Sequence, residues 1–332
     1  MHIPDGVLDP RVAVATGLVG AAGLAYGLRV VERQLGERTT ALMGMCSAFV
    51  FAAQMVNFPV GPGVSGHLLG GVLAAVILGP WAGSVAMASV LIVQCFLFGD
   101  GGLTALGANF VNMGLIGSVG GYAIYRPIRR WLGGKRGVLI GAMAAAWFAV
   151  LLAAGACAIE LSLLGGRTTF MHVLSWMGLV HAAIGLGEAL ITGMVVRLVL
   201  LTRPDLIDPD LAGAGDIRGG SPHRGWVEAT VAGLAIALAV AVFLAPFASE
   251  SPDGLEYVAS VTEAFSEEAS PVISAPLPDY ELPLAGSENV RVATALAGLV
   301  GTLVVFGFGW GLARVFSAAG GSRAARMAAD AT

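Results

Sequence analysis

Nine stretches of almost uninterrupted apolar sequence limit what this chain can fold into. They cover residues 12–31, 41–58, 67–78, 81–98, 107–125, 138–164, 173–200, 226–247 and 292–316. A helix needs roughly 20 mainly apolar residues to cross the hydrocarbon core of a bilayer, and all but 67–78 come close to or exceed that length. Only 12% of the 332 residues are charged, about half the share in soluble domains. The fold class read from this is all-α integral membrane: a seven-segment helical bundle followed by a two-helix membrane domain. Segment 67–78 is too short to span upright and is followed by Pro80. A short element survives at membrane depth only when its neighbours shield it.

Basic residues flanking the spans set orientation. Arg29, Arg33 and Arg38 follow the first span, and Arg126, Arg129, Arg130, Lys135 and Arg136 follow the fifth. Arg197, Arg203, Arg218 and Arg224 lie around the end of the seventh, and Arg314, Arg323 and Arg326 close the chain. All four clusters fall on one side if the N-terminus is outside, the C-terminus is cytoplasmic and the short third segment counts, giving nine crossings. Arg167 is the main exception. The net charge of −4 says little, because the charges are segregated by loop, and no nucleic-acid partner is expected.

The expected domains are 1–200, a membrane domain; 201–225, a Pro-, Gly- and Asp-rich cytoplasmic linker; and 226–332, a two-span domain. The last carries an acidic extracytoplasmic loop, 248–291, expected to be partly helical near Glu256–Glu268 and extended through Pro271–Pro283. Its charge either concentrates cations at the outer face or simply keeps the loop solvated. Cys46, Cys95 and Cys157 lie in three different apolar segments and read as small buried hydrophobes. The first eight residues hold an Asp and no base, so no cleaved signal peptide is expected. Met1 is expected to be retained, because His2 is bulky.

The first six residues, Met1-His2-Ile3-Pro4-Asp5-Gly6, carry the sharpest chemistry. The α-amine, the backbone nitrogen of residue 2 and the His2 ring can close two fused chelate rings on one cation. Three nitrogens in a plane with a fourth position open suit Ni(II), Cu(II) or square-planar Co(II). Each ligand must lose a proton, so such a site tightens as pH rises. The plain alternative is a frayed terminus.

His67 lies on the same expected side, in the glycine-rich turn Gly-Pro-Gly-Val-Ser-Gly-His-Leu-Leu-Gly, and can supply the fourth nitrogen. Asn109 and Asn112, three residues apart on one helix face, either support such a site or pair helices; the latter is the simpler reading. Intramembrane ionisable residues are expected to serve function. Glu160, His181 and Glu188 are the candidates, and His181 and Glu188 are assigned to helix pairing or gating. Gly133-Gly134-Lys135 lacks the spacing and the Ser/Thr of a phosphate-binding loop, and no HExxH is present. No catalytic residue or catalytic cofactor is expected.

MHIPDG, FAAQMVNFPV with the following GPGVSGHLLGG, LFGDGGLTALGANFVNMG and HAAIGLGEALIT together cover about residues 1–200. In that order they resemble the cobalt/nickel substrate-binding component of energy-coupling-factor transporters. Ser-Pro-Asp-Gly-Leu-Glu at 251–256 resembles the PDGLE motif of a two-span accessory subunit, here fused to the C-terminus. The resemblance implies that the N-terminus threads into the bundle from outside. The metal is then held by the Met1 amine, the His2 backbone nitrogen, the His2 ring and His67. It also implies a separate transmembrane coupling subunit and two cytoplasmic ATPase subunits, with Ni2+ or Co2+ as cargo. The PDGLE motif is more similar to nickel-system partners. An autonomous secondary metal carrier would need matching inverted repeats, which the two halves do not show. A membrane metallo-enzyme built on His181 and Glu188 would need an open coordination position.

Overall fold

The computed structural model describes all residues except 35–36, 164–166, 212–221, 263–270, 283–288 and 330–332. Part of the expected linker, including Arg218, and Glu263, Glu267, Glu268 and Glu288 of the acidic loop therefore lie outside the described residues. Among the described residues, the regular structure is helical apart from one hairpin. Helices α1 (Pro10–Gln34) and α2 (Glu37–Gln54) lead into strands β1 (Phe58–Gly61) and β2 (Val64–Gly66), which pair antiparallel with Phe58 opposite Gly66. Helix α3 (Gly71–Leu78) is followed by α4 (Pro80–Val93), prolonged by a wide π turn, Gln94–Phe98. Helix α5 (Leu106–Asn109) continues through a π-wound stretch, Phe110–Gly120, into α6 (Gly121–Leu132). The long helices α7 (Gly134–Ser162) and α8 (Arg167–Thr202) complete the first domain; α9 (Pro222–Ala239), α10 (Gly254–Thr262) and α11 (Val290–Ala329) follow.

Six helices among the described residues are long and apolar enough to cross a membrane, and α1, α4, α7, α8, α9 and α11 carry them. Their burial separates centre from rim. The apolar window of α4 is 78% buried inside the protein, against 17% for α1. Val14, Leu18 and Val19 of α1 and Leu186 and Leu190 of α8 are exposed, as expected of side chains that meet lipid rather than a core. Helix α7 packs along α8, and α11 along α2 and against α1 and α4, so the C-terminal helices are seated on the first domain.

The third apolar segment departs from the expected 67–78 helix. Its helix starts only at Gly71, because Gly70 has φ +82° and the backbone N–H groups of Leu69 and Gly70 donate to the Glu188 carboxylate at 2.5 and 2.9 Å. Residues 67–70 are thus held open between the hairpin and α3. In the acidic loop, α10 accounts for the helix expected from Glu256 as far as Thr262.

Basic residues gather at one end of the bundle. Arg38 donates to the Asp205 carbonyl at 2.8 Å, Arg203 pairs with the Asp205 carboxylate at 2.7 Å, and Arg129 pairs with Asp208. The chain's first residues lie at the other end, where α1 begins.

Candidate metal centre

The N-terminal hexapeptide is docked, not frayed. Ile3 is fully buried. Its N–H donates to Asn109 Oδ1 at 2.8 Å, and its carbonyl accepts from Asn109 Nδ2 at 3.1 Å and from the Gly102 N–H at 2.9 Å. A side-chain amide reading both backbone groups of one residue fixes that residue's depth and rotation. Only glycine fits at 102, since a Cβ there would lie 2.2 Å from the Asp5 nitrogen. Asp5 turns the chain back out. Its Oδ1 accepts the Thr104 N–H and hydroxyl at 2.8 and 2.7 Å, and its Oδ2 accepts the Val272 N–H of the C-terminal domain at 3.0 Å.

This docking brings Met1, His2 and His67 together. The Met1 α-ammonium donates to His67 Nε2 at 3.0 Å and to Asp253 Oδ2 at 2.5 Å. With metal–nitrogen bonds of about 2 Å, neighbouring corners of a planar square lie about 2.8 Å apart, so the amine and His67 Nε2 already stand at the spacing of adjacent ligands. His67 Nδ1 donates to the Leu68 carbonyl at 3.0 Å, which leaves the lone pair on Nε2, facing the amine. The His2 ring stacks on His67 with centroids 5.3 Å apart.

His2 Nδ1 lies 3.1 Å from Asp100 Oδ1. A chelate that includes the residue-2 backbone nitrogen closes through this same near ring nitrogen, so an ion bound there competes with Asp100 for it. Asp100 is itself held by the Tyr280 hydroxyl from the C-terminal domain. Tyr280 also accepts from Gln94, which donates to Gln54 as well, and Gln54 donates to the Leu69 carbonyl beside His67 at 2.8 Å. A hydrogen-bonded chain thus runs from the His2 imidazole to the backbone two residues after His67.

Charge follows the same geometry. Burial pushes the His2 ring down to about 4, against the pull of Asp100, so the ring is neutral at physiological pH. Burial would also lower the Met1 amine, but the Asp253 charge and hydrogen bond outweigh it and raise the amine above its ordinary 8.0. Asp253 would be lifted by burial, yet the ammonium and His67 hold it well below the usual carboxylate range. Among the described residues, no three His, Cys, Asp or Glu side chains converge as a metal site.

The remaining candidates divide. Asn109 supports the hexapeptide directly. Asn112 donates to Glu160 at 2.6 Å and joins the π-wound stretch to α7. Glu188 grips the two residues after Leu68, close to His67 despite its place further along α8. His181 is buried with Nδ1 on the Met177 carbonyl at 2.9 Å and Nε2 without a hydrogen-bond partner. It lines a cavity of about 10 Å³ with Met1, His67, Asp253 and Gly254, the scale of one water molecule. His181 and Glu188 thus each reach the site's surroundings. Asp253, Tyr280 and Asp100 were not singled out in the sequence. Asp253 lies within the PDGLE-like motif read from the sequence, and the Asp-x-x-Glu spacing at 253–256 marks it as a helix start, but neither assigned it to the site.

Known proteins share this architecture. A relative from Archaeoglobus fulgidus, provisionally named a fused nickel transport protein, NikMN, is 36% identical over 318 residues, spanning 95% of this chain and 98% of its own. The fused nickel transport protein NikMN of Rhodobacter capsulatus is 30% identical, spanning 93% and 96%. A crystal structure described as that of a transition metal transporter superposes with a TM-score of 0.56 at 31% identity, covering 66% of this chain and all of that one. The family model for the cobalt uptake substrate-specific transmembrane region matches residues 2–206, and the PDGLE domain matches 228–318. This multi-pass membrane protein belongs to the cobalt uptake substrate-specific transmembrane family and carries a C-terminal PDGLE domain.

Proposed function

We propose that the chain is the substrate-binding membrane component of an ATP-driven energy-coupling-factor importer for Ni2+ or Co2+. It captures the ion at the Met1 amine, the residue-2 backbone nitrogen, the His2 ring and His67. The observation that carries this reading is the Met1 amine held 3.0 Å from His67 Nε2 in a buried pocket at the hexapeptide's end of the bundle. Residues 1–200 form the metal-binding domain, 201–225 a cytoplasmic linker and 226–332 the accessory domain. The N-terminus is outside, the C-terminus is in the cytoplasm, and nine crossings lie between. ATP hydrolysis and release to the cytoplasm fall to a coupling subunit and two ATPases on other chains. Nickel is the preferred cargo, because both fused relatives named above, which match the two domains together, carry nickel in their names.

The test compares Ni2+ and Co2+ binding to protein with its native N-terminus and to protein with one extra residue before Met1. The extension keeps every side chain but moves the amine off the chelate. Binding should collapse in the extended form. Equal binding by both would remove Met1 from the site.

A further inference from the structure

The stretch Pro252-Asp253-Gly254-Leu255-Glu256 belongs to the C-terminal domain, yet it is built into the candidate metal centre. Ser65 on β2 donates its N–H to the Pro252 carbonyl at 2.9 Å and its hydroxyl to the Ser251 carbonyl at 2.7 Å. Asp253 then starts α10. Its Oδ1 accepts the N–H groups of Leu255 and Glu256 at 2.7 and 2.9 Å, and Glu256 returns a carboxylate oxygen to the Asp253 N–H at 2.8 Å. This is a reciprocal capping box. Gly254 allows the helix start to lie against α8, where a Cβ would come 2.6 Å from Ile184 Cδ1 and 2.9 Å from His181 Cε1. Leu255 is buried at 1% exposure and pins the first turn.

With one oxygen committed to the cap, the other has a fixed direction. Oδ2 lies 2.5 Å from the Met1 amine and 3.6 Å from His67 Nε2. The grip of Ser65 on residues 251–252, the two N–H groups on Oδ1 and the packing of Gly254 and Leu255 thus aim one carboxylate oxygen at the amine. A buried ammonium without a counter-charge is strongly unfavourable, and Met1 is 5% exposed.

We propose that Asp253 is the positioning residue that docks the terminal amine against His67, so that the N-terminal site is preorganised by the PDGLE domain. A coordinated amine still carries N–H bonds, so the same carboxylate can hold it during ion binding. The consequence for metal capture rests on the proposed function above; the docking itself does not.

The full chain contains a single lysine, Lys135, exposed at the start of α7, so an amine-acylating reagent has two sites whose modification mass spectrometry can compare. In the native protein the α-amine should react far more slowly than Lys135. Asp253→Asn keeps the helix cap, since Asn caps as well as Asp, and removes the charge. It should speed α-amine acylation roughly tenfold to a hundredfold, the scale of one charge-assisted hydrogen bond. Glu256→Ala weakens the cap and leaves the anchor, and should leave the amine protected. Maleimide protection of the buried Cys46, Cys95 and Cys157 reports that each variant is folded. An α-amine in Asp253→Asn as protected as in the native protein, or one equally released by Glu256→Ala, would overturn the proposal. Adding Ni2+ to Asp253→Asn should restore protection. If it does not, while the variant's amine is released, the anchor stands and the metal-site reading fails.

Discussion

The terminal amine has opposing demands placed on it. Asp253 raises its affinity for a proton above the ordinary 8.0, while an ion needs the amine deprotonated. The docking contact is therefore fully present below 8.0 and is lost as pH rises through the raised value. Asp253, depressed from 3.8, contributes above that value and loses its contribution as pH falls through its lowered one. Between 3.8 and 8.0 the amine is docked and protonated, so each ion must displace a proton. The His2 ring, at about 4, adds no step near neutrality. We expect Ni2+ affinity, measured by titration calorimetry, to climb through neutrality and to go on climbing beyond 8.0, because the amine proton is the one displaced. A plateau by about pH 7 would mean that imidazoles alone hold the ion and that the amine is not displaced.

At the scale of elements, the site depends on how the loop between α4 and α5 receives the hexapeptide. Gly102 is the closest approach. In Gly102→Ala the new Cβ meets the Asp5 nitrogen at 2.2 Å and the Pro4 carbonyl carbon at 2.6 Å, backbone atoms that cannot rotate away. The Gly102–Ile3 hydrogen bond should be lost and the amine displaced from His67. We expect Ni2+ affinity to fall by about tenfold or more while the thermal midpoint changes little, because the helices pack elsewhere. Unchanged affinity would show that docking depth does not govern binding.

The same elements show what the sequence could yield. The spans, the N-terminal nitrogens and the glycine-rich turn at His67 are local features, each readable from a few adjacent residues. The helix delay to Gly71 was not readable, because Glu188, more than a hundred residues away, binds the Leu69 and Gly70 N–H groups and holds the backbone there in a non-helical path. Asp253 and Tyr280 were hidden for the same reason. Each lies in a loop whose charge suggested either general cation attraction or mere solvation, and its partner is more than 150 residues away in the sequence. Asn109 was balanced between two roles in the sequence, and only its contact with Ile3 separates it from Asn112, which joins helices.

For the whole molecule, the Met1–Asp253 contact restricts topology as well as chemistry. Residues on one side of a bilayer are separated by an even number of crossings. Between Met1 and Asp253 lie α1, α2, α3, α4, the α5–α6 rod, α7, α8 and α9, an even set only if α3 is counted. At about 1.5 Å per residue, α3 is far shorter than the roughly 30 Å hydrocarbon core. The β1–β2 hairpin and residues 67–70 must then carry the chain inward before α3 begins, shielded by α4, α7 and α8. Lys135, at the start of α7, would lie on the other side from Ser260 of α10, with α7, α8 and α9 crossing between them. The native cysteines are buried, so single exposed cysteines can be read against a silent background. On intact cells an impermeant maleimide should label Ser260→Cys at once and Lys135→Cys only after permeabilisation. The reverse pattern would place the amine, His67 and Asp253 in the cytoplasm, where a site that delivers ions inward has nothing to capture.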